Sequence, residues 1–133
     1  MANRLYDLAR ESFLKGEISW SGDNIKAALV DSASYTPNTA TDQFLSSVSG
    51  ITATSANLAS KTTTDGIGDA ADVTYSSVTG NQSELIVVYQ DTGSAATSRL
   101  IALVDTATGL PVTPNGGDIQ IQWDAGANKI FKL

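Results

Sequence analysis

The sequence contains no histidine and no cysteine among its 133 residues. Histidine is the side chain whose ordinary pKa lies near neutral pH, and cysteine supplies the most reactive thiolate. Their absence excludes Ser-His-Asp and Cys-His catalysis, zinc sites of the usual ligand types and disulfide cross-links. Because the sequence has no cysteine, it indicates neither a reducing nor an oxidising compartment for the protein.

Positive charge and long apolar runs are also scarce. The three arginines and five lysines are scattered along a chain of formal net charge −6. Nucleic-acid binding needs a clustered basic stripe, so no nucleic-acid partner is predicted. No apolar stretch approaches the ~20 residues that cross a bilayer, and the opening MANRLYD lacks the apolar centre of a signal peptide. We therefore predict neither a membrane partner nor an N-terminal export signal.

The length suits a single domain over residues 1–133, with a helix in 1–16 and a β-sandwich in 17–133. The helix is predicted over residues 2–15, with Asn3 as its N-cap and Gly16 as its stop. Apolar residues recur there with a period of 3.6 at Leu5, Leu8, Ala9 and Phe13. A helix this short is marginal alone, so its apolar face must dock on the domain or on a partner.

The rest of the chain carries strand patterns separated by turns rich in glycine and asparagine. Strands are predicted at 18–20, 25–31, 58–64, 73–77, 85–89, 100–104, 119–123 and 129–133. The segments 36–57 and 62–71 have little pattern and are interpreted as surface excursions, with a short helical turn around 42–47. The predicted fold is mainly β: an antiparallel β-sandwich or jelly-roll-like barrel of about seven to eight strands with one N-terminal α-helix.

Few residues suggest chemistry, and we predict no catalytic, cofactor or metal site. Asp65, Asp69 and Asp72 form one acidic, glycine-containing stretch. Three carboxylates can hold Ca²⁺, but the spacing does not fit an EF-hand loop, so a solvated turn is the favoured interpretation. Whether this loop binds a cation stays open. A glycan hydrolase using paired carboxylates ranks lowest among the functions, because such sites also carry aromatic platforms and tryptophans are few here.

Trp20 and Trp123 are the two largest side chains, and each lies in an alternating segment. A core role is the favoured interpretation for both, with an interface anchor as the alternative.

The sequences at the two ends of the chain, taken together, resemble those of a known protein family. Residues 1–20 (MANRLYDLARESFLKGEISW) lead into 25–31 (IKAALVD), and the ending combines 110–124 (LPVTPNGGDIQIQWD) with 127–133 (ANKIFKL). With the middle segment 88–97, this combination resembles a family of small virion structural proteins of tailed bacteriophages. The resemblance covers nearly the whole chain, and its motifs are structural and bring no active-site residue.

The resemblance implies a part of a phage particle and leaves open which part. Small acidic β-sandwich proteins of this size are similar to decoration, or cement, proteins that clamp capsid shells. The expected function is therefore non-enzymatic adhesion to the major capsid protein on the outer capsid surface, after synthesis in the host cytoplasm. The expected capsid-facing residues are Leu5, Leu8, Phe13 and Trp20, and self-association as a homotrimer is compatible with this role. The alternative is a tail or receptor-facing virion protein that binds a host surface glycan.

Overall fold

The computed structural model describes residues 3–127 and 129–133, and within them the chain forms nine β-strands and one α-helix. The helix α1 spans Asp7–Leu14, and short 3-10 turns lie at Leu45–Ser47 and Thr64–Gly66. The strands are β1 Arg4–Leu5, β2 Ile25–Val30, β3 Ile51–Thr54, β4 Ile67–Gly68, β5 Val73–Tyr75, β6 Leu85–Gln90, β7 Leu100–Val104, β8 Ile119–Ile121 and β9 Phe131–Lys132. The prediction of a mainly β fold with an N-terminal helix is confirmed, with nine strands in place of seven or eight.

All strand pairs are antiparallel. A five-stranded sheet has the order β1-β7-β6-β2-β3, and two small sheets pair β4 with β9 and β5 with β8. No barrel closes among the described strands, and residues of the small sheets pack against the large sheet in a sandwich-like arrangement. In the centre of the large sheet, Ala28 lies opposite Val87, and Val88 lies opposite Ala102.

The three central strands of the large sheet, β2, β6 and β7, are buried on both faces, which explains their largely apolar runs. One face, with Leu29 and Ile86, packs against the small sheets and their loops. The hydroxyl of Tyr75 in β5 donates a hydrogen bond to the Ala27 carbonyl of β2, at 3.0 Å. The opposite face, with Val30 and Val87, is covered by Tyr6, by α1 and by the segment after β2. The domain therefore has two core layers, one on each side of its main sheet.

The helix is shorter than predicted, and its start was placed wrongly. Residues 4–5 pair with β7 as an edge strand, and helical structure begins only at Asp7. Asn3 is not the N-cap, because its side chain bonds the backbone of residues 105 and 106 instead. Ala2, the first residue of the predicted helix, lies outside the described residues. The stop is confirmed: Gly16 has a left-handed φ of 74°, and its N–H bonds the Phe13 carbonyl while the Glu17 N–H bonds the Ser12 carbonyl, a Schellman ending.

Two predicted strands are wrong. Residues 18–20 form the start of a turn, in which the Ser19 N–H and the Asp23 carboxylate bond at 2.7 Å. Residues 58–64 form no strand: they contain an isolated bridge, from Thr62 to Asp69, and the first residue of the 3-10 turn at Thr64–Gly66. The strand of that region is β3, which lies in the segment 36–57 that shows little pattern, because its four residues lie at the edge of the sheet and none of them is fully buried. The helical turn predicted around 42–47 is present at Leu45–Ser47.

Candidate functional site

The four residues expected to face a capsid are divided between the core and the surface. Leu5 is 3% exposed and Trp20 is 5% exposed, so both are core residues and present almost no surface. Their burial has a simple cause: Leu5 lies in a strand of the main sheet, and Trp20 packs beneath the C-terminal strand. Leu8 and Phe13 lie on α1 and are partly exposed. Only these two offer side-chain area to a partner in the described fold.

Phe13 and Trp20 nevertheless belong to one cluster, which Phe131 of β9 completes. The ring centroids of Trp20 and Phe131 are 4.9 Å apart with the planes at 89°, an edge-to-face pair. The Phe13 and Phe131 centroids are 6.0 Å apart. The N-terminal helix, the turn after it and the last strand therefore meet at a single aromatic residue.

The segment before β5 closes over this cluster. Gly68 approaches the ring so closely that an added Cβ would lie 2.5 Å from Cε1 and Cζ of Phe131. Only glycine leaves room for the aromatic ring at this point of the β4–β9 pair. The Trp20 indole N–H donates to the Asp69 carbonyl at 3.3 Å, which ties the same segment to the turn after α1.

An apolar pocket of about 220 Å³ opens beside the cluster. Phe13, Trp20, Ile67, Phe131 and Leu133 supply its apolar lining. Leu133 is 59% exposed, and Leu14, next to Phe13 in the chain, is 88% exposed. Leu133 lines the apolar opening, and an exposed leucine in that position is a candidate for burial against a partner. We call the pocket, with Leu133 in its lining and Leu14 at the end of α1, the terminal patch.

The start of α1 is held by a buried hydroxyl chain. The hydroxyls of Tyr6 and Tyr35 lie 2.8 Å apart, and Tyr35 donates to the Asp42 carboxylate at 2.7 Å. Burial raises the pKa of Tyr6 to about 12, and burial with these two hydrogen bonds raises the pKa of Tyr35 strongly as well. Both phenols stay neutral at physiological pH, and we call this chain of hydroxyls, which holds the start of α1 in place, the tyrosine clamp.

Trp123 and Asp72 of the acidic loop make structural contacts in the described fold. Trp123 is buried, and its indole N–H donates to the Ala71 carbonyl at 3.0 Å. The Asp72 carboxylate accepts the Trp123 backbone N–H at 3.1 Å. Across residues 3–127 and 129–133, no group of three acidic side chains converges as metal ligands would, and this includes Asp65 and Asp69.

No protein-family model matches the chain, and no curated protein sequence matches it either. In the described part of the chain, no helix has the length and apolar character needed to cross a membrane.

Proposed function

We propose that this chain is a structural protein of a tailed phage particle, namely a capsid decoration protein that binds the major capsid protein on the outer surface of the shell. The terminal patch carries the proposal. It joins the two ends of the chain, which are also the segments that resemble virion structural proteins. The absence of histidine and cysteine is consistent with a protein that works by adhesion.

Leu14 indicates how much binding free energy one residue of the terminal patch can contribute. Leu14 is 88% exposed in the free protein, and burying a leucine completely is worth about 1.5–3 kcal/mol. Loss of that contact should weaken binding about 10- to 100-fold per site. Repeated contacts around a symmetric shell would multiply the effect through avidity.

The test uses the full chain and empty, expanded shells of the major capsid protein that belongs with it. Leu14→Glu should fold as the wild type does, because the side chain contacts little, and should lose co-sedimentation with the shells. Ile51→Glu is the matched control, since Ile51 is another exposed large apolar residue, 40% exposed on strand β3 outside the terminal patch. The control should bind like the wild type.

Equal binding by the Leu14 variant and the wild type would contradict the terminal patch as the docking surface. Immunogold labelling of complete particles tests the placement separately. Label on the tail and none on the head would exclude a cement role and favour the receptor-facing alternative, binding a host surface glycan. Deletion of residues 1–15 is a poor test, because it removes β1 from the main sheet together with buried Tyr6.

A further inference from the structure

A second cleft, of about 440 Å³, shares Phe131 with the apolar pocket and has a different chemistry. Its charged lining residues are Arg4, Arg10, Asp124, Lys129 and Lys132. The whole chain has eight lysines and arginines, so half of its cationic side chains line this one opening. Four cations and one carboxylate give the cleft a net charge of +3, which leaves −9 for the rest of a chain whose formal total is −6.

The fold assembles this cluster from the two ends of the chain. Arg4 lies in β1, Arg10 lies in α1, and the two lysines lie in or beside β9. Like charges gathered at one opening repel one another, and this repulsion opposes folding unless something compensates it. A compensating anion bound in the cleft would relieve the repulsion.

Three of the four cations have no ion-pair partner in the described structure. The ammonium groups of Lys129 and Lys132 make no hydrogen bond or ion pair to any residue in 3–127 or 129–133. Arg10 pairs with the Asp7 carboxylate at 3.1 Å, on the exposed side of α1. Arg4 donates to the Thr39 hydroxyl, a neutral group that leaves its charge uncompensated.

Lys129 is also held in an unusual backbone conformation. Its φ is 50°, in the left-handed region that favours glycine and disfavours a lysine. The backbone N–H of Lys129 donates to the Gly126 carbonyl at 3.3 Å, and the backbone N–H of Ile130 donates to the Gly68 carbonyl. This backbone conformation is unfavourable for a lysine, and it occurs at a residue that lines the cleft and has no ion-pair partner in the described structure.

We propose that this cleft binds an acidic segment of a partner protein, with Asp or Glu carboxylates between the lysines of the last strand region and the arginines of β1 and α1. A short peptide needs positive charge only within the cleft. A nucleic acid would extend beyond it, onto a surface of net charge −9 that repels a long polyanion. The inference rests on the charges in the cleft and holds for any protein partner, so it does not depend on the proposed capsid role.

The test uses the full chain and a fluorescent hexa-aspartate peptide with blocked ends, titrated at low ionic strength. We expect binding that weakens with added salt. Lys129→Gln with Lys132→Gln should weaken it about fivefold or more, the effect expected for two exposed charge contacts. The matched control is Lys15→Gln with Lys26→Gln, which removes the same charge from residues paired elsewhere, with Glu11 and Asp91. The control pair should bind within about twofold of the wild type.

A variant that binds the peptide more tightly provides a second test, because a misfolded protein would lose affinity and would not gain it. Asp124 is the one carboxylate of the cleft, and its Oδ1 accepts the Gly126 N–H at 3.0 Å. Asp124→Asn keeps an oxygen acceptor for that bond and removes the repelling charge. The variant should bind the peptide about two- to fivefold more tightly.

Three results would overturn the proposal. One is equal weakening by the cleft pair and the control pair, which would mean attraction by overall charge. Another is tighter binding of hexa-thymidylate or inorganic phosphate than of the peptide, which would make the cleft a phosphate site. The third is no saturable binding of the peptide at low ionic strength. Loss of shell binding by the Leu14 variant, with peptide binding intact, would separate this inference from the proposed function.

Discussion

The tyrosine clamp predicts how the stability of the domain responds to alkaline pH. Tyr6 is 0% exposed, and its burial raises the pKa from 10.0 to about 12. Between pH 10 and 12 the folded protein keeps this phenolic proton while the unfolded chain loses it. The folded state therefore binds more protons, and stability falls as pH rises through the window. One titrating group changes the free energy of unfolding by at most about 1.4 kcal/mol per pH unit, which amounts to about 2 kcal/mol between pH 10 and 12.

Tyr6→Phe isolates this contribution. At pH 8 the variant should be less stable by about 1 kcal/mol, because it loses the 2.8 Å hydroxyl contact with Tyr35. Tyr35 keeps its bond to Asp42. Between pH 10 and 12 the variant should lose stability less steeply than the wild type, by about 1 kcal/mol per pH unit on average. The two stability curves should therefore cross, and the variant should be the more stable protein near pH 12. Urea unfolding followed by tryptophan fluorescence from pH 8 to 12 measures both curves.

The control for this experiment is Val48→Ala, a truncation in the same buried cluster as Tyr6. It removes no titrating group, so it should lower stability by a similar amount at every pH. Wild-type and Tyr6→Phe curves that stay parallel between pH 10 and 12 would refute the argument, because the buried phenol would then have the same pKa in both states.

Two further variants test how the chain ends are held. Gly68→Ala should cost about 1–3 kcal/mol and shift the tryptophan emission, because the new Cβ would lie 2.5 Å from the Phe131 ring; an unchanged melting temperature would show that the ring moves freely. Asn3→Ala should cost about 1–2 kcal/mol in urea unfolding, since its side chain makes three bonds of 2.8–3.0 Å to the backbone of residues 105 and 106. Asn57→Ala, which loses a single 3.3 Å side-chain contact, should have a smaller effect; equal losses would contradict the anchoring role of Asn3.

Much of the sheet could be predicted because burial on both faces leaves a direct mark on sequence. The predicted strands at 85–89 and 100–104 correspond to Leu85–Gln90 and Leu100–Val104, and the 25–31 prediction to Ile25–Val30. The alternating segment 119–123 contains Ile119–Ile121. Where a strand is short or lies at an edge, as at Arg4–Leu5 and Ile51–Thr54, few of its residues are buried, and no periodic pattern forms.

The candidate site was predictable only in part. Helical periodicity identified the apolar residues of the N-terminal segment, and Phe13 does line the terminal patch. The same periodicity misplaced Leu5, because a two-residue strand and the start of a helix share an apolar pattern. Phe131, which joins the helix to the pocket, carries no local signal beyond an apolar C-terminal segment.

By itself, the sequence determined the class of fold, through its long apolar strands, and excluded histidine- or cysteine-based chemistry, through its composition. Both properties depend on residue type and spacing along the chain. Only the tertiary structure decided which residues reach a surface together. Arg4 and Lys132 stand at opposite ends of the sequence, and they line one cleft because β1 and β9 are brought to the same side of the domain. Proximity of this kind comes from strand order and packing, which neighbouring residues do not encode.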